Sequence, residues 1–162
     1  MELLSEFETN GEGKKHTCDP DDFGDVLDEL IEQPAVGLEV PFDGLSLPDD
    51  VNVEPTAREI RDAATGVTPA GLGVASYGNV TVESESVSEL VALYSDAQVA
   101  VLRESDIVPD MDTAFDGMGD RIAEAHNSHI LVSGPSATGD MGTLVQGVHG
   151  PEELDVVVLE GM

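Results

Sequence analysis

The sequence is poor in cysteine, tryptophan and positive charge: it has one cysteine, Cys18, no tryptophan and six basic residues among 162. A single cysteine excludes an internal disulfide and any cysteine-clustered metal or iron–sulfur site. The four histidines, His16, His126, His129 and His149, show neither HxH nor HExxH spacing, so no metal site is expected. No GxGxxG segment is present for a dinucleotide, and no cofactor is expected in this chain. No run of 18 apolar residues occurs, which argues against a membrane span. The acidic start, Met1 to Phe7, lacks the basic region of a signal peptide, and the expected location is cytoplasmic.

What abounds is acid. Thirty-four Asp and Glu against Lys14, Lys15, Arg58, Arg61, Arg103 and Arg121 give a formal net charge of −28. Such a field repels nucleic acid and anionic membranes, so neither is an expected partner. A hydrophobic content of 40 %, arranged with clear periodicity, argues against disorder. Few lysines, many acids and only four Phe and two Tyr read as adaptation to high intracellular salt, as in a halophilic archaeon. At 1 M salt the Debye length is about 3 Å, so self-repulsion is largely screened. The acidity then reports habitat, not partner.

The length suits one domain, 1–162, with 1–16 a short extension at its start. Leu3, Leu4 and Phe7 line one face of a short helix, and Lys14–Cys18 reads as a brief strand with Cys18 a buried, inert thiol. Asp19 as N-cap and Pro20 at the first position open a helix whose stripe is Phe23, Val26, Leu27, Leu30 and Ile31. Ala35–Val40 reads as a strand, as does the neighbourhood of Val51 and Val53. A helix from Pro55 to Ala64 follows, with Gly66 as its stop. Gly66 to Gly78 is rich in small residues, which suits close backbone approach to another element or to a ligand; both remain open.

Leu90–Tyr94 is ambiguous and leans towards strand. A helix beginning at Asp110 or Asp112 carries Phe115, Met118, Ile122 and Ala125 on one face. Val36–Val40, Val80–Glu83, Val99–Leu102, Ile130–Ser133 and Val156–Leu159 are expected to share one sheet. Strands alternating with helices indicate an α/β domain with a largely parallel sheet flanked by helices.

The most distinctive stretch is Ser133-Gly134-Pro135-Ser136-Ala137-Thr138-Gly139-Asp140, where an apolar run ends in Gly, Pro, hydroxyls and a carboxylate. A loop of small residues at the end of a buried strand offers backbone N–H groups and hydroxyls to an anion, and in open α/β sheets ligands bind at such ends. Gly-Pro and Gly-Asp punctuating a plain turn is the structural alternative. Gly134, Ser136, Thr138 and Asp140 are candidate ligand-binding residues, with Asp140 orienting the loop. His149, between Gly147 and Gly150, either reaches an anion or acts in acid–base chemistry, or fixes the loop by bonding a backbone carbonyl. A Ser-His-Asp triad is disfavoured because no GxSxG elbow is present. No catalytic residue is identified.

The stretch from Ser133 to Leu159, which holds Gly134–Asp140 and Gly147-Val148-His149-Gly150-Pro151, resembles the C-terminal signature of the LUD domain, the lactate-utilization protein C family. Gly66-Val67-Thr68-Pro69-Ala70-Gly71-Leu72-Gly73-Val74-Ala75-Ser76-Tyr77-Gly78 resembles an upstream segment of the same family. The likeness runs in order from about residue 17 to residue 160. It implies a Rossmann-like fold of the NagB/RpiA/CoA-transferase-like group. It also implies an accessory role in L-lactate oxidation to pyruvate, with iron–sulfur subunits as partners, while the hydroxyls of the loop suit a small carboxylate or phosphate as ligand. Two departures stand out: Ser76 occupies a position where many relatives have Glu, and Asp140-Met141-Gly142-Thr143 lacks the glutamate that follows the aspartate in many of them. The alternatives are a stand-alone enzyme of the same fold group, acting on a sugar phosphate or acyl-CoA, and a non-catalytic anion sensor.

Overall fold

Val99–Leu102 and Val156–Leu159 are apolar at every position, a pattern that demands cover on both faces of a strand. The computed structural model, which describes residues 2–84, 87–125, 127–134 and 150–162, places both runs at the centre of a parallel sheet. Among the described residues that sheet has six strands. In spatial order they are β1 (Lys14–Cys18), β10 (Glu153–Leu159), β7 (Ala97–Arg103), β4 (Thr65–Pro69), β2 (Ala35–Gly37) and β3 (Val51–Asn52), every pair parallel. The chain is thus α/β with a parallel sheet flanked by helices. One face packs Val67, Val99, Val101, Val157 and Leu159 against Phe23 and Leu27 of α2 (Phe23–Leu30). Cys18 is buried in this layer, as expected.

The opposite face, with Ala100, Leu102, Val156 and Val158, meets Phe7 of α1 (Glu2–Thr9) and a second sheet. That sheet has the order β8 (Ile107–Val108), β5 (Gly73–Val74), β6 (Asn79–Ser84) and β9 (Ser128–Val132). The expectation of one sheet is therefore corrected: Val80–Glu83 and Ile130–Val132 belong to the second sheet. The physical reason is the tight reversal between β5 and β6, which can only yield an antiparallel pair. Gly78 makes the reversal possible, with φ of +63° and a Cα whose Cβ would lie 1.8 Å from the Asn10 carbonyl oxygen. Alternation then turns Val80 and Val82 onto the main sheet, with β9 antiparallel beside them.

Other expectations shift with context. Leu90–Tyr94 is helical, within α4 (Ser88–Tyr94), and buries Val91 and Ala92 while leaving Leu93 and Tyr94 exposed. Seven residues do not form a stable helix alone, so packing on the sheet decides the matter. Gly66 does not stop a helix; it lies inside β4, where a Cβ would meet Val91 O at 2.7 Å and Ser95 Oγ at 2.5 Å. Close approach to α4 is what that glycine serves. The preceding helix is shorter than expected, α3 (Ala57–Arg61). Thr56 and Glu59 cap it reciprocally: the Thr56 side chain accepts from the Glu59 amide and the Glu59 side chain accepts from the Thr56 amide. The strand expected over Ala35–Val40 ends at Gly37.

In α5 (Met111–Ala125) the buried positions are Ala114 and Met118, while Phe115 and Ile122 are exposed, so the apolar stripe is rotated from the one expected. No helix among the described residues is long and apolar enough to cross a membrane.

Candidate functional site

Parallel strands deliver their carboxyl ends to one edge, and the crevice outside that edge is where open α/β sheets take ligands. Here β2, β4 and β7 end at Gly37, Pro69 and Arg103, and a cleft of about 550 Å³ opens beside them. Leu38, Pro41, Pro69 and Ala70 form its apolar wall. Glu39, Glu83, Arg103, Asp106 and Arg121 supply its charge. Glu83 arrives from the end of β6 and Arg121 from the last turns of α5, so the second sheet and its helix complete the cleft.

The charged groups form a chain. Arg103 Nε donates to Asp106 Oδ2 at 2.7 Å, and the guanidinium lies 5.4 Å from the centroid of the buried Phe42 ring. Asp106 Oδ1 is 3.8 Å from Arg121 Nη2. Arg121 Nη1 donates to Glu83 Oε1 at 3.1 Å and to the Gly71 carbonyl at 3.3 Å. Glu83 Oε2 accepts from Asn127 Nδ2 at 3.4 Å.

Among the described residues the terminal nitrogens of Arg103 have no hydrogen-bond partner, although its Nε and ring face are engaged. That leaves a fork of N–H donors of the kind that takes a carboxylate or phosphate in two parallel bonds. Two guanidiniums stand against three carboxylates, so the cleft is not broadly positive; it has one oriented donor fork within an acidic rim.

The candidate loop begins elsewhere. Because β9 runs antiparallel to β6, it carries the chain away from the cleft. Gly134, with φ of +83°, sits against Gly13, just before β1. Asn79 Nδ2 donates to Ser133 Oγ at 3.5 Å. On the far side of the loop, the Glu152 amide donates to the Asp96 carbonyl at 2.7 Å, just before β7. Both flanks therefore lie at the amino edge of the main sheet, opposite the cleft, which corrects the assumption that the loop leaves at the ligand-binding edge. Ser136, Thr138, Asp140 and His149 lie outside the described residues, as does His126.

The remaining histidines are separated. His16 Nε2 lies 2.6 Å from Asp155 Oδ1 across β1 and β10, and His129 stands opposite Glu83 in the β6–β9 register. Among the described residues neither ring nitrogen of His129 has a hydrogen-bond partner. No group of three or more His, Cys, Asp or Glu among the described residues is placed to hold a metal ion. Burial, with the charges of Asp22, Asp19 and Glu160, pushes the Cys18 thiol up, which opposes a nucleophilic role. Ser76 is exposed, and its amide donates to the Pro109 carbonyl at 3.1 Å.

Arg103, Asp106, Arg121 and Glu83 were not legible as a site from the sequence. One signal was available: Arg103 immediately follows the expected strand Val99–Leu102, and arginine is scarce in this chain.

The LUD domain family model matches residues 28–159. The fold is similar to that of a DUF162 family protein from Deinococcus radiodurans, known from a crystal structure, with a TM-score of 0.73 and 19 % identity. The match covers 98 % of this chain and 96 % of that one. No curated protein matches the sequence.

Proposed function

Since the chain belongs to the LUD domain family, we propose that it serves lactate utilization as an accessory subunit that handles an organic anion, with the redox centres supplied by iron–sulfur partner subunits. The observation that carries this is the family match over residues 28–159. A single cysteine, and that one buried, supports placing the electron transfer in other chains. In this proposal a small carboxylate or phosphate is held by Gly134, Ser136, Thr138 and Asp140 with His149 nearby, the glycines freeing backbone N–H groups and the hydroxyls adding neutral donors. Neutral donors suit a chain of −28 with so few bases to spend.

The test is complementation of lactate oxidation. An extract from a strain lacking this chain should lose lactate-dependent dye reduction, and the purified chain should restore it while reducing no dye alone. Unchanged lactate oxidation in the deletion extract refutes the proposal. For the loop, Ser136→Ala with Thr138→Ala should weaken calorimetric binding of lactate or pyruvate without altering circular dichroism. Equal binding by wild type and double variant refutes the loop assignment. The stand-alone enzyme alternative draws support from the volume of the cleft, which exceeds what a three-carbon acid needs. It requires turnover of a sugar phosphate or acyl-CoA by the purified chain alone.

A further inference from the structure

We propose that the cleft at the carboxyl ends of β2, β4 and β7 is a binding site for a nucleoside monophosphate, anchored by its one phosphate on Arg103. This site is distinct from the loop proposed above and does not depend on it.

Size comes first. At roughly 30 Å³ per water, a cleft of about 550 Å³ holds the equivalent of about 18 waters. Lactate or pyruvate would leave most of that volume wet, whereas a ligand of roughly twenty non-hydrogen atoms falls in the range such clefts enclose.

Charge narrows the class. Glu39, Glu83 and Asp106 outnumber Arg103 and Arg121, so the cleft tolerates one compact oxyanion and opposes a polyanion. The free fork of Arg103 is where that oxyanion docks. Asp106 holds its Nε and Phe42 backs its plane, so the fork is preorganised before the ligand arrives. Arg121 is committed to Glu83 and the Gly71 carbonyl, and it shapes the cleft more than it offers donors.

The rest of the ligand must be neutral, flat or apolar on its faces, and rich in donors at its edges. Leu38, Pro41, Pro69 and Ala70 offer a surface without hydrogen-bonding side chains for a ring to lie on. The carboxylates of Glu39 and Glu83 accept from hydroxyl or amino groups. A nucleoside with one phosphate meets all three demands: ring faces, hydroxyl and amine donors, and a single oxyanion. A triphosphate fails the charge condition.

The experiment is titration calorimetry on the full chain, in the lowest potassium chloride concentration that keeps the fold. The probes are AMP, ATP, adenosine, inorganic phosphate and lactate. AMP should bind at least tenfold more tightly than adenosine and more tightly than ATP, while lactate and inorganic phosphate report the loop. Arg103→Gln should weaken AMP tenfold or more while leaving adenosine unchanged. Leu38→Trp fills the cleft without touching the arginine, so it should weaken AMP and adenosine alike and keeps the test informative if Arg103→Gln fails to fold. The proposal is overturned if AMP does not bind, if it binds no more tightly than adenosine, if ATP is preferred, or if folded Arg103→Gln or folded Leu38→Trp binds AMP as wild type does. Retained lactate binding beside absent AMP binding would spare the loop assignment while sinking this one.

Discussion

Arg121 ties the second sheet to the cleft, and its removal can be costed. Arg121→Met keeps the aliphatic stem and a helix-compatible side chain, but removes the hydrogen bonds to Glu83 Oε1 at 3.1 Å and to the Gly71 carbonyl at 3.3 Å. At an effective dielectric of about 20, a charge pair near contact gains on the order of 4 kcal/mol before desolvation and side-chain ordering are subtracted. Fully exposed pairs net about 0–1 kcal/mol, and breaking a buried pair costs about 3–5 kcal/mol. With the Arg121 and Glu83 side chains 35 % and 34 % exposed, the cost lies between these limits, about 1–2 kcal/mol.

For a domain of this size, each kcal/mol lowers Tm by about 2–4 °C. Glu83→Gln should cost about 1 kcal/mol, because Asn127 Nδ2 can still donate to the amide oxygen. The informative quantity is the double-mutant cycle, read from urea midpoints at fixed salt: a coupling of about 0.5–1 kcal/mol is expected, shrinking as salt is raised. Additivity within about 0.3 kcal/mol at every salt concentration would show that the pair carries no energy and that the cleft is not braced by it.

Gly66→Ala forces a Cβ to 2.5 Å from Ser95 Oγ and 2.7 Å from the Val91 carbonyl, so it should destabilise by about 1–3 kcal/mol or more; a neutral urea midpoint would contradict the packing assigned to α4. Dialysis from molar salt to millimolar buffer should unfold the chain, because a formal charge of −28 then repels itself without screening. An unchanged circular dichroism spectrum and Tm would refute the halophilic interpretation. Cys18 should react slowly with thiol reagents in the native state and quickly once unfolded. Its folded pKa is raised, chiefly by burial, so above the ordinary thiol value the unfolded chain ionises first and stability should fall as pH rises. A native reaction rate equal to that of the unfolded chain excludes the buried thiol.

The sequence by itself determined most elements, because their signals are local. Continuous apolar runs produced β7 and β10, and i, i+3, i+4 spacing produced α2. The two glycine-rich segments pointed to the LUD domain, which the family match bears out. Tertiary structure decided what local signals cannot hold. Residues 90–94 are too short for their periodicity to choose between helix and strand, and packing of Val91 and Ala92 on the main sheet chose helix. Sheet membership of β6 and β9 followed from a reversal in which the Tyr77 and Gly78 amides donate to the Val74 carbonyl and Gly78 fits against Asn10, a residue far away in sequence. The cleft is the clearest case. Arg103 and Asp106 stand three residues apart at the end of β7, but Glu83 comes from the second sheet and Arg121 from α5, and no spacing along the chain relates those two to each other or to the first pair. Parallel strands with a common direction gather their ends at one edge, so the charges meet only when the chain is folded.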